Sequence, residues 1–262
     1  MNKTPIEWVR NSDGSQGYTW NPITGCLGPN GTPEKPNRCS YCFANKLAKG
    51  RLKERYLSIP EYPYDDCPAL LIPHTDKSDP FVPRFWRHRL SEPSFWCRKP
   101  RTIFVCSMGE LFSEHYPASW LGNILHTFYK CPQHTFLVLT KNPPRDEKIC
   151  WPRNVWFGVT INKSGDWLRL RIVEDCEATK KFISFEPLLD DVLNNPHIQL
   201  VTFNWIIIGA QTKPSKLPKK EWVEHIVNQA DLLGISVFLK NNLKPLFGDN
   251  LRQEFPRYGG VV

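Results

Sequence analysis

Cys26, Cys39 and Cys42 are the residues of this chain best suited to chemistry, because their spacing can bring three thiolates to one metal centre. They stand in TGCLGPNGTPEKPNRCSYCFANKLAKGRLKER, which reads as a strand end, a Gly- and Pro-rich loop and a basic helix. Two cysteines separated by two residues can face one ion, and a third arriving across a turn-rich loop joins them without straining either element. Structural zinc sites and ordinary ferredoxin clusters take four protein ligands, and here three are visible. A 4Fe-4S cluster on three thiolates keeps one iron open to an outside ligand. The alternative is a zinc staple completed by Cys67, Cys97 or His74. Three buried thiols without metal fit less well, since the loop between them is polar.

Other chemistries lack their signatures. No serine-protease-like triad, P-loop or dinucleotide Gly-rich fingerprint is found, and the histidines form no metal-type pair. The nine cysteines are an odd count, which argues for metal binding, catalysis or packing rather than a disulfide framework. The opening MNKTPIEWVRNSDG lacks the apolar stretch of a secretory signal, so a cytoplasmic location is expected. No apolar run is long enough to cross a bilayer, and no membrane partner is expected. A hydrophobic content of 40%, with 10 Trp and 15 Phe, fits a well-filled core. The formal charge of +8 suits a polyanionic partner.

The elements that must position the thiols follow from hydrophobic patterning. Short apolar runs at Thr102 to Cys106, Thr135 to Leu139, Val155 to Thr160, Phe182 to Phe185, Trp205 to Ile208 and Val237 to Leu239 each suit a strand buried on both faces. Tyr18 to Ile23 reads as a first strand. Between them, Trp120, Leu121, Ile124, Leu125 and Phe128 share one helical face, as do Trp222, Val223, Ile226, Val227, Ala230 and Leu233. Gly234 sits where a C-cap glycine belongs, and Pro218 precedes that helix. Strands alternating with helices imply parallel pairing, in a doubly wound sheet or a barrel. The fold class expected is α/β, a partial (β/α) barrel of about six to seven mainly parallel strands. It forms a single domain over residues 1–262, with an irregular insertion at about 59–100 rich in Pro and aromatics.

TWNPITGC followed by CSYCFA resembles the phage Gp37/Gp68-type (DUF5131-like) family, which is related to the radical SAM superfamily. RTIFVCSMGELF, FLVLTKNPPR, NVWFGVTI, KFISFEPLL, NWIIIGAQT and VFLKNN resemble that family's successive strand-end segments. The superfamily spaces its cysteines by three residues and then two, whereas 12 residues separate Cys26 from Cys39 here. A longer loop adds only modest closure entropy. The resemblance implies two cofactors, a 4Fe-4S cluster and S-adenosyl-L-methionine, whose amino and carboxylate groups chelate the open iron. Reductive cleavage then yields methionine and a 5'-deoxyadenosyl radical that takes a hydrogen atom from substrate. An electron donor such as flavodoxin or ferredoxin is an implied partner.

Ligands of parallel α/β proteins bind at the C-terminal strand edges, which singles out the polar residues ending each strand. Ser107, Met108, Gly109 and Glu110 correspond in the resemblance to a Gly-Gly-Glu-like turn that holds the cofactor's ammonium group; an ordinary turn before a helix is the plain alternative. Thr160, Asn162, Ser184 and Glu186 are expected at ribose, carboxylate or substrate, and Gly209 and Gln211 where backbone nears adenine or methionine. Phe43 could shield the cluster or stack near adenine. Lys141 and Lys240 are expected at substrate, and Arg84 and Trp86 of the insertion at nucleic-acid phosphates and bases. The reading is a radical SAM enzyme that modifies or repairs a nucleic acid or nucleotide. Its alternatives are a zinc-stapled noncatalytic nucleic-acid-binding protein and a radical enzyme acting on a peptide or small metabolite.

Overall fold

The computed structural model describes residues 1–58, 70–96, 99–144 and 149–256. The N-terminal part contains strands β1 (Asn2–Lys3), β2 (Tyr18–Trp20) and β3 (Ile23–Thr24), then helices α1 (Phe43–Lys49) and α2 (Lys53–Leu57). Strands β4 (Leu70–Leu71) and β5 (Arg84–Phe85) and helix α3 (Glu92–Trp96) follow. The chain then alternates β6 (Thr102–Val105), α4 (Ala118–Lys130), β7 (Thr135–Thr140), β8 (Val155–Thr160), α5 (Trp167–Glu174) and β9 (Lys180–Phe185). It ends with β10 (Trp205–Ile208), a hairpin of β11 (Gln211–Thr212) and β12 (Ser215–Lys216), α6 (Lys220–Leu233), β13 (Ser236–Leu239) and α7 (Lys244–Phe247).

The fold is mixed α/β, built on an eight-stranded, mainly parallel sheet in the order β1-β2-β6-β7-β8-β9-β10-β13. All six apolar runs are strands of it, and with β2 they are seven parallel neighbours in chain order; β1 pairs antiparallel with β2. Doubly wound sheets reverse strand order at a switch point, and this order never reverses. The sheet is not closed into a barrel, since β1 and β13 are its edges.

Helices α4, α5 and α6 share one core with a single face of the sheet: Trp120, Ile124, Phe128, Leu170, Val173 and Ile226 pack with Ile103, Val138, Phe157, Ile183, Phe185 and Ile208. The opposite face carries a second cluster of Trp8, Trp156, Phe182, Trp205 and Phe238. Trp8 lies 4.8 Å from Phe104 and 6.1 Å from Trp205, ring to ring. Gly158 makes room for this layer, because a Cβ there would fall 2.4 Å from the Phe182 ring. Side chains alternate along a strand, so Trp156, Phe182 and Phe238 share their face with Thr160, Ser184, Glu186 and Lys240 further along. Aromatic residues thus fill that face at the strands' N-terminal halves, and polar ones occupy it at the C-terminal ends.

The strand expected from Tyr18 to Ile23 is divided. β2 joins the main sheet, and β3 joins β5 and β4 in a small antiparallel sheet. The break falls at Asn21-Pro22, where proline has no N–H to continue a ladder. The described parts of the insertion are therefore ordered around this small sheet. Phe81, Val82, Phe85 and Trp86 are buried in it. Helix α5 was not expected, because WLRLRIVE interleaves arginines with its apolar residues, yet Leu170 and Val173 are fully buried. Among the described residues no helix is long and apolar enough to cross a membrane.

Candidate functional site

A cleft of about 2110 Å³ is lined by C-terminal strand-end residues and by the Cys26–Cys42 loop. The 12-residue gap between Cys26 and Cys39 is bridged by a closed excursion. The Asn37 amide donates to the Leu27 carbonyl at 2.6 Å, and the Asn37 side-chain amide donates to the Pro29 carbonyl at 3.1 Å. Gly28 has φ +83°, and a Cβ on it would fall 1.8 Å from the Asn37 carbonyl oxygen, so only glycine permits this closure. Arg38 locks the junction, donating to the Cys26 carbonyl at 2.7 Å and the Phe81 carbonyl at 3.1 Å and pairing with Asp79. The length of the gap is thus taken up away from the thiols.

Each sulfur accepts one N–H donor: Cys26 from the Gly28 amide at 3.1 Å, Cys42 from the Asn45 amide at 3.4 Å and Cys39 from the Lys141 ammonium at 3.9 Å. Such donors favour thiolate over thiol. Burial, followed by the nearby Glu110 carboxylate, pushes the Cys26 thiol up to about 12, with smaller contributions from Cys42 and Cys39. Among the described residues no three His, Cys, Asp or Glu side chains form a closed ion-binding group. The three thiols instead share the wall of one cleft. Their soft sulfur donors, each with an N–H partner, fit an iron-sulfur centre or zinc, whose binding would displace their protons. His74 does not line the cleft, and Cys67 and Cys97 lie outside the described residues.

The Ser107–Glu110 turn is fastened to the thiol loop's lead-in. Asn21 Oδ1 accepts from the Met108 amide at 2.8 Å and the Ser107 hydroxyl at 3.2 Å. The Gly25 amide donates to the Met108 carbonyl at 2.9 Å, and the Glu110 amide to the Gly25 carbonyl at 3.1 Å. A Cβ on Gly109 would lie 2.8 Å from the Gly25 oxygen, which explains a glycine there. Glu110 Oε1 accepts from the Leu111 amide at 2.8 Å, the Phe112 amide at 3.3 Å and the Thr140 hydroxyl at 2.7 Å. Among the described residues its Oε2 accepts only from the Lys141 amide, at 3.2 Å, and keeps capacity for a cationic ligand. Burial raises the Glu110 pKa, against the pull of those four donors.

Lys141 reaches the Tyr41 hydroxyl at 3.1 Å, and that hydroxyl donates to Asn162 Oδ1 at 2.9 Å. Asn162 is buried and gives its amide to the Pro187 carbonyl at 2.8 Å, so it braces the cleft from behind. Thr160 and Ser184 are buried lining residues paired across β8 and β9, and the Ser184 hydroxyl has no hydrogen-bond partner among the described residues. Glu186 and Lys240 form an ion pair on the same wall. Gly209 serves that pair, since its Cβ would meet the Lys240 side chain at 2.9 Å. Gln211 lines the cleft, as does Phe43, which is 61% exposed.

Of the strand-end residues, Ser107 to Glu110, Lys141, Thr160, Ser184, Glu186, Gln211 and Lys240 line the cleft, whereas Asn162 and Gly209 support the lining from behind. Arg84 and Trp86 are placed elsewhere. Arg84 is buried, with its guanidinium on the carbonyls of Pro80, at 3.0 Å, and Val82, at 3.1 Å. Trp86 is buried with its indole N–H on the Thr24 hydroxyl at 2.8 Å. Residues not singled out from sequence include Asn21, Arg38 and Tyr41; Tyr41 stands between two candidate ligands, which was the available signal. Cys106, which ends the run from Thr102, is packed in the core and also lines the cleft, with φ 54° and a thiol pushed up to about 12 by burial.

These features define an open, mainly parallel α/β protein with a three-thiol wall in a cleft at its strand ends. The chain belongs to the family described as "Protein of unknown function (DUF5131)", whose model matches residues 3–245. No curated protein and no solved structure matches it.

Proposed function

We propose that this protein is a radical SAM enzyme, of the phage Gp37/Gp68 type and related to that superfamily through a partial-barrel form of its sheet. The observation that carries the reading is the convergence of Cys26, Cys39 and Cys42, each with an N–H donor, on the cleft lined by Glu110, Thr160, Ser184, Glu186 and Gln211. The unreversed strand order, with helices on one face and the cleft-lining residues on the other, supports the partial-barrel form.

Cys26, Cys39 and Cys42 would hold a 4Fe-4S cluster. When bound, that cluster would supply an open iron for S-adenosylmethionine and the electron that cleaves it to methionine and a 5'-deoxyadenosyl radical. The chain's own residues prepare the site. Glu110 offers Oε2 to the ammonium group, Ser184 offers an unengaged hydroxyl to a ribose or carboxylate oxygen, and the aromatic layer beneath excludes water. Asn21 and Tyr41 hold the two walls in register. A small reductant protein of the flavodoxin or ferredoxin class would deliver the electron.

The test is anaerobic reconstitution with iron and sulfide, followed by electron paramagnetic resonance before and after adding S-adenosylmethionine. The expected result is a cluster signal that the cofactor perturbs, and release of 5'-deoxyadenosine on reduction. Stoichiometric zinc with no iron uptake would sink the proposal in favour of a zinc-stapled protein.

A further inference from the structure

The cleft exceeds what the cofactors require. Pockets for one small ligand enclose roughly 300–1,000 Å³, whereas this one measures about 2110 Å³. Part of its wall is formed by the turn between α1 and α2, by α2 itself and by the turn Arg87–Ser91, and that part is basic. Arg51, Arg55 and Arg89 line it. Arg55 and Arg89 both act electrostatically on the Tyr56 hydroxyl, and Arg55 acts on Arg89 itself. Arg89 is half-buried, its guanidinium 4.1 Å from the Trp86 ring centre and donating to the Asn21 carbonyl at 2.9 Å. The acid that acts on it, Glu92, is held by the N-terminal ammonium at 2.6 Å. Among the described residues Arg51 and Arg55 have no ion-pair partner.

Neighbouring guanidiniums repel one another, and an anion between them removes that penalty. Their planar donor forks match a phosphate in two-point contact. Phe43 stands exposed on the same cleft, beside Cys42, and offers an aromatic face on which a base can stack. We propose that Arg51, Arg55 and Arg89 form a phosphate-binding wall for a nucleic-acid strand, one nucleoside of which enters the cleft toward the thiols. This deepens the radical SAM reading by naming its substrate class, but the binding itself needs no cofactor. An acidic peptide would meet the arginines without using either the aromatic face or the depth of the cleft.

The experiment is fluorescence anisotropy of the full chain, with and without reconstituted metal, using a fluorescein-labelled single-stranded mixed-sequence oligodeoxynucleotide. Binding should weaken as salt rises, with each phosphate contact contributing about 0.7 to the slope of log K against log salt. The exposed pair Arg51→Ala/Arg55→Ala should weaken binding about tenfold and lower that slope by roughly 1.4. Lys130→Ala/Lys219→Ala, with the same charge change away from the cleft, should leave both nearly unchanged. Equal loss in the two double variants would overturn the site, as would polyglutamate competing as well as unlabelled oligonucleotide. Arginine-dependent binding without 5'-deoxyadenosine release would remove the radical reading alone. Release of 5'-deoxyadenosine without arginine-dependent binding would remove this inference alone.

Discussion

Arg84 and Arg55 are the same residue type on neighbouring parts of the fold, and they differ in what their donors do. Arg84 is buried, and its donors are taken by backbone carbonyls of Pro80 and Val82. Arg55 is exposed on the cleft with no carboxylate partner among the described residues. The aromatic residues divide likewise, Trp86 buried on Thr24 and Phe43 open to the cleft. Burial obliges a polar group to find a partner inside the protein, because an unsatisfied donor costs about 1–3 kcal/mol. Only groups not so obliged are left for a ligand. Engaged residues should therefore fail in stability, and unengaged ones in binding.

The largest expected effect is at a thiol that faces the cleft. Cys39 takes its side-chain contacts from the cleft itself, the distant Lys141 ammonium and the Tyr41 hydroxyl. Cys39→Ala should abolish iron retention after reconstitution while shifting the unfolding free energy of the metal-free protein by no more than about 0.5 kcal/mol. Iron analysis and urea denaturation measure the two arms. Full iron retention would remove Cys39 from the centre.

Trp86→Ala should show the converse. Truncating a buried tryptophan costs about 3–5 kcal/mol, and loss of its hydrogen bond to Thr24 belongs to that cost. A midpoint near that of the parent protein in urea would mean that Trp86 is less engaged than its burial implies. Asn21 tests the boundary between the classes, since it is engaged with the very turn that lines the cleft. Asn21→Ala removes the acceptor for Met108 and Ser107 and should cost about 1–2 kcal/mol. Hydrogen exchange at the Met108 amide should accelerate more than exchange in the α6 helix; uniform acceleration would show a global effect instead.

The same distinction explains what the sequence revealed. Central parallel strands are buried on both faces, so Val155–Thr160 and Trp205–Ile208 stand out as apolar runs and their polar ends mark the rim. The two-residue strands of the small sheet carry no period, and Pro22 hides the division between β2 and β3. The closure of the Cys26–Cys39 loop depends on the contact between Leu27 and Asn37, ten positions apart, which no local pattern encodes. The insertion's Arg and Trp residues were visible as residue types, but whether they were engaged depended on burial, a property of the fold. Tyr41 was overlooked for a related reason, as its partners Lys141 and Asn162 come from distant strand ends.

Lys141 is the smallest and sharpest test, because it is engaged by Tyr41 and yet faces a sulfur. Its ammonium lies 3.1 Å from the Tyr41 hydroxyl, 4.7 Å from that ring's centre and 3.9 Å from Cys39 Sγ. If its role is to brace Tyr41, Lys141→Met should lower stability by about 1 kcal/mol and leave the reconstituted centre's reduction potential in place. If its charge acts on the centre, the potential should become more negative, since a cation beside a thiolate favours the state carrying the extra electron. We expect the second outcome, read by redox titration with electron paramagnetic resonance, with Lys141→Arg holding the potential nearer to the parent value. An unchanged potential in Lys141→Met would place the residue with Arg84 and Trp86, among the groups the fold itself has used.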